Sequence, residues 1–224
     1  MASPLAQTDR LLRLRPRDLN EAELPRLATV LFVMVALAMV YGAVMGTFGG
    51  LGVDRLRQIA YSATKVPLLL IVTFLICLPS YFVINTLMGL RGDFGAAFRA
   101  LLAAQAVLGI ILASLAPYTA LWYLSVPRYR LAILFNGAMF ALASFAAQVA
   151  LRRLYRPLVE RDRKHRLMAH LWLALYVFVG IQMAWVLRPY VGDPNLPTEF
   201  FREDSWTNAY VAIMDMIWEV LQRR

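Results

Sequence analysis

Val66-Pro-Leu-Leu-Leu-Ile-Val-Thr-Phe-Leu-Ile-Cys-Leu-Pro-Ser-Tyr-Phe-Val-Ile-Asn-Thr-Leu-Met-Gly-Leu90 runs for 25 residues without an Asp, Glu, Lys, Arg or His. Lys65 precedes it and Arg91 follows it. A bilayer core of about 30 Å is crossed by roughly 20 apolar residues in a helix, so the stretch reads as a membrane span. Working outward, four further runs meet the same length: 27–50, 100–125, 131–151 and 168–187. Only the last holds an Asp, Glu, Lys, Arg or His, namely His170 near its start. Backbone in lipid must satisfy its own hydrogen bonds, and none of the runs alternates as a barrel strand does. The expected fold is therefore all-α, a polytopic transmembrane helical bundle of five spans.

Composition agrees. The chain of 224 residues is 60% hydrophobic and 17% charged, with a mean hydropathy of +0.58; soluble domains carry about 25% charged residues. The net charge of +9 does not point to nucleic acid, because the basic residues flank apolar runs, as cytoplasmic flanks do. Cys77, the only cysteine, lies inside a run and reads as a small buried hydrophobe. The first run follows a polar, Arg-rich segment and reads as an uncleaved span rather than a signal peptide.

Lys and Arg placement sets the expected orientation. The N-terminal tail, the second connection and the fourth connection together hold 14 basic residues, and the opposite side holds 9. This divides the chain into a cytoplasmic basic tail (1–26), a five-span bundle (27–187) and an extracytoplasmic segment (188–224), in a bacterial inner membrane. Tyr61, Trp122, Tyr123, Trp185 and Tyr190 fall at the expected outer boundary, and Phe94, Phe98, Tyr155 and Trp172 at the inner one, where aromatic anchors sit.

Candidate sites are few. Gly42 and Gly46, and Gly137 and Ala141, have the four-residue spacing that lets helices approach closely. Packing inside one bundle is the plainer reading, and association of two copies the alternative. Asn85, Gln105, Asn136 and Gln182 lie at membrane depth, where they would line a transport path or bond between helices. No buried acid or base accompanies them, which weakens ion- or proton-coupled transport. His170 could ligate a haem or chlorin only with a second buried histidine. His165 lies in the basic connection, so no cofactor or metal is expected. No metalloprotease, phosphate-loop or nucleophile-elbow motif occurs, and no enzyme is expected.

The fourth connection carries Arg152, Arg153, Arg156, Arg161, Arg163, Lys164 and Arg166. Such clusters attract anionic lipid at the cytoplasmic face or dock acidic proteins. At the other end, Trp206, Tyr210, Ile213, Ile217, Val220 and Leu221 follow Asp204-Ser205 mostly at helical spacing, with Trp218 and Glu219 among them. This is an expected amphipathic helix, too short and charged to span. Asp215 and Glu219 on its polar face favour a protein partner over a lipid surface.

Two stretches carry a resemblance: Gln182-Met-Ala-Trp-Val-Leu-Arg-Pro-Tyr190, with Pro194, Pro197 and Phe200-Phe201-Arg202 after it, and Lys65-Val-Pro-Leu-Leu-Leu70 with Cys77-Leu-Pro79. From Lys65 onward the chain resembles a group of poorly characterised bacterial integral membrane proteins. More distantly, the polar tail and five spans resemble Yip-type membrane-trafficking proteins. The resemblance implies a non-enzymatic subunit that binds other membrane proteins; the competing expectation is a transporter or channel for a small or lipidic solute.

Overall fold

The computed structural model describes residues 24–193, 196–202 and 207–211. Residues 1–23 of the basic tail, and Trp206, Ile213, Ile217 and Trp218 of the expected C-terminal helix, lie outside the described residues. Five helices are long and apolar enough to cross a membrane, making this a multi-pass helical membrane protein. They are α1 (Leu24–Gly46), α2 (Val53–Leu87), α3 (Phe94–Ser125), α4 (Tyr129–Arg161) and α5 (Lys164–Val186). A 3₁₀ turn, Arg91–Asp93, precedes α3.

The helices outlast the apolar runs. At 1.5 Å per residue, the 35 residues of α2 extend about 52 Å, well beyond a hydrocarbon core. The fourth connection is accordingly not a loop, as the sequence reading had it. Leu151, Leu154, Tyr155 and Leu158 stay buried at helical spacing, so α4 continues to Arg161. Arg156 and Glu160 pair one turn apart along it. The turn itself is short. Asp162 leaves the helix in an extended conformation, and its carboxylate accepts the backbone N–H of Lys164 at 2.8 Å, opening α5.

Around the bundle the order is α1, α2, α5, α4, α3, with α1 wedged between α2 and α3 and a slight α4–α5 contact closing the ring. Most deeply placed is α3: 67% of its most apolar window is buried, against 11% for α5. Residues 101–110 are buried without interruption. Small side chains permit this, since helices in lipid associate by close packing rather than by escape from water. Gly109 lies against α1, where an added Cβ would stand 3.1 Å from the Met34 carbonyl oxygen.

The glycine pair of α1 packs inside the chain. A Cβ on Gly42 would meet the Ser62 carbonyl oxygen at 2.3 Å, and one on Gly46 the Ile59 Cα at 2.6 Å. Gly137 and Ala141 do not do the same. Both are exposed, and a Cβ on Gly137 meets nothing within 4 Å. The inward face of α4 is instead Ala132, Asn136, Ala143 and Ala147, because Gly137 sits 100° further round the helix than Asn136.

Candidate functional site

The candidate site lies at the C-terminal end of the bundle. Gln58, Ser62 and Lys65 recur along α2 at spacings of four and three, which places them on one helix face. All three are buried. Against them runs the irregular segment that follows α5. Lys65 Nζ donates to the Pro189 carbonyl at 2.8 Å. Ser62 Oγ donates to the Tyr190 carbonyl at 2.5 Å, and Gln58 Nε2 bonds both Ser62 Oγ and that same carbonyl. Tyr129 reaches the Val191 carbonyl and Arg55 that of Asp193. A segment without a helix or strand has no internal partners for its buried carbonyls, so side chains must supply them.

Lys65 is fully buried, with no carboxylate paired to it among the described residues. Its ammonium also faces the Phe200 ring, 4.9 Å from the centroid, a cation–π arrangement. Phe200 in turn packs edge-on against Tyr61. Gly192 lies so near Gln58 that a Cβ would stand 2.6 Å from its Cγ. A cavity of about 280 Å³ opens beside these groups, with Asp193, Glu199 and Arg202 on its wall. Burial leaves the Tyr190 hydroxyl without a partner and holds its phenol above the ordinary range.

A second clasp holds the chain further on. Gln182 donates to the Thr207 carbonyl at 3.1 Å and accepts the Ala209 N–H at 3.0 Å. Trp185 Nε1 reaches Thr207 Oγ1. Tyr210 stacks on Phe178 with centroids 4.9 Å apart, and its hydroxyl donates to the Phe178 carbonyl at 2.6 Å. Tyr210, a ring of the expected C-terminal helix, thus packs on the bundle itself, as does Phe200 before it. Trp185, read as a boundary anchor, is also a hydrogen-bond donor to the downstream segment. The two stretches that carried the resemblance meet in space here.

At the opposite, basic end all seven cationic residues from Arg152 to Arg166 are exposed. Arg161 reaches Asp93 at 2.5 Å and Lys164 reaches the Met88 carbonyl. The side chains of Arg152, Arg153, Arg163 and Arg166 have no ion-pair partner among the described residues. His165, expected in a solvated connection, is fully buried: Nε2 lies 3.3 Å from Asp93, and the ring packs edge-on against Tyr155. His170 is the exposed one, bonded to the Arg166 carbonyl. Tyr155 and Trp172 are buried core residues rather than boundary anchors, and the Tyr155 hydroxyl bonds that of Tyr81.

The four polar residues considered for a path each have local work. Asn85 donates to the Leu90 carbonyl where α2 ends. Gln105 accepts from Tyr176. Asn136 accepts from Tyr41 and donates to Tyr123 and the Ala132 carbonyl. Gln182 holds the C-terminal segment, and no two of the four share a partner. Set beside protein-family models, curated proteins and solved structures, the chain matches none.

Sequence reasoning missed Gln58, Ser62 and Lys65 as a set. The available signal was a polar stripe at helical spacing ending in a lone lysine against an apolar run.

Proposed function

We propose that this chain is a non-enzymatic subunit of the bacterial inner membrane that anchors or stabilises a larger membrane assembly. In this reading the N-terminus is cytoplasmic and the segment after α5 is the extracytoplasmic docking element. The observation that carries it is the pair of clasps, Gln58–Ser62–Lys65 and Gln182–Trp185, that fixes this segment on the bundle. Leu196, Phe201 and Val211 of the fixed segment stay exposed. Apolar side chains on a backbone already ordered lose less entropy on binding, which favours association. The hydrogen bonds of Asn85, Gln105, Asn136 and Gln182 further support a packing role over a solute path.

The test is purification of the full chain in mild detergent, beside a variant carrying Gln182→Ala and Trp185→Phe. Wild type is expected to retain membrane partners in fixed stoichiometry, and the variant to insert normally but lose them. Solute flux in liposomes by the chain alone, abolished by changing Gln105 and Asn136, would sink this reading in favour of a transporter.

A further inference from the structure

A second cavity, of about 460 Å³, lies at the basic end between the start of α3 and the end of α4. We infer that it is a binding site for the phosphate headgroup of an anionic membrane lipid. Its walls divide by chemistry. Arg99 and Arg161 stand on the polar side with Asp93, while Leu154, Pro157 and Leu158 form an apolar side. Gly92, Gly95 and Ala96 keep the space open.

The charge is not balanced within the cavity. Arg161 is matched by Asp93, which also takes the imidazole of His165. Arg99 is the surplus cation: its Nε is buried and has no hydrogen-bond partner. The Arg99 guanidinium lies across the first turn of α3, with Nη1 3.5 Å from where a Gly95 Cβ would be. The 3₁₀ turn Arg91–Asp93 runs directly into α3, and the Phe94 N–H is taken by the Arg91 carbonyl, so the cavity's positive charge comes from the arginines. The unpaired Arg99 guanidinium, with Arg161 on the same polar wall, fits a phosphate oxygen set.

The apolar wall selects the source. A free phosphate ion gains nothing from Leu154, Pro157 and Leu158, whereas a lipid places its glycerol and first methylenes there. The site stands where the helices turn, at headgroup level for a bundle of this length. The inference is independent of the anchoring role.

The test uses the full chain in detergent micelles, with bound lipid counted by native mass spectrometry and the unfolding midpoint followed alongside. Phosphatidylglycerol is expected to stay bound and raise the midpoint, and phosphatidylcholine to do neither. Arg99→Gln is expected to lower phosphatidylglycerol occupancy about tenfold or more, the scale of one charge-assisted hydrogen bond. Gly95→Leu puts a side chain into the cavity without changing charge and is expected to do the same, so it carries the test if Arg99→Gln fails to fold. Arg152→Gln with Arg153→Gln, outside the cavity, should leave occupancy unchanged. The site is overturned if Gly95→Leu binds like wild type, or if the Arg152/Arg153 variant weakens binding as much as Arg99→Gln. Equal effects of phosphatidylcholine, or of inorganic phosphate alone, would overturn the lipid assignment.

Discussion

Lys65 illustrates how one residue fixes a conformation. A buried ammonium is costly unless its donors are used, and here it holds the Pro189 carbonyl and faces Phe200. Lys65→Met keeps the stem but strands that carbonyl. The expected cost is about 1–3 kcal/mol, the price of one buried unsatisfied group, read as a lower unfolding midpoint in detergent. Protease cleavage after Val186 should rise in parallel; an unchanged cleavage pattern would mean the segment is held without the lysine. Gly42 is as exacting for a steric reason. Gly42→Ala drives a methyl into the α2 backbone and is expected to cost about 1–3 kcal/mol. Gly137→Ala, facing open space, should change stability by less than about 0.5 kcal/mol. Equal effects of the two would contradict the packing described.

At the scale of elements, the basic end is a corner where α3, α4 and α5 meet on Asp93. The two contacts of that carboxylate differ in weight. Arg161 is 71% exposed, and exposed ion pairs contribute about 0–1 kcal/mol. His165 is buried, its Nδ1 has no partner and Nε2 has only Asp93. Asp93→Ala should therefore cost more than Arg161→Gln, about 1–3 kcal/mol, by thermal unfolding. If Arg161→Gln is the more damaging, the corner is held by its surface. The α2 terminus makes a similar point. Gly89, at φ 79°, ends the helix as its N–H bonds the Thr86 carbonyl, while Leu90 bonds that of Asn85. This glycine-dependent closing motif is locked by the Asn85 side chain, which explains a polar residue at that depth without a pore.

For the whole molecule, topology and the C-terminal segment are the testable features. A cytoplasm-active reporter should work after Arg17 and between Asp162 and Arg163, and be inactive after Arg224. Activity at Arg224 would mean an even number of crossings. Insertion elsewhere in 152–166 should disrupt the fold, since those residues are helical on both sides of the turn. Deletion after Gly192 removes Phe200 and the entire Gln182–Thr207 clasp. The truncated chain is expected to insert, to unfold at lower temperature and to lose its partners. Retention of full stability would show that the clasps are incidental.

The sequence by itself determined the number of membrane helices, because unbroken apolar length is what lipid selects. It did not locate the turns, because the helices run on through most of the charged stretches between the runs. Other features were beyond its reach. Within the apolar runs nearly every face is apolar, so no periodicity distinguishes a side chain meeting lipid from one meeting another helix. Only the tertiary structure made α3 the centre, sent Gly42 and Gly46 inward but Gly137 and Ala141 outward, and carried α4 through its basic stretch. It also decided that Lys65 and His165, read as flanking polar residues, are buried. Their partners, Pro189 and Asp93, lie far along the chain, and a hydrogen bond across such a separation is written in the packing rather than in local spacing.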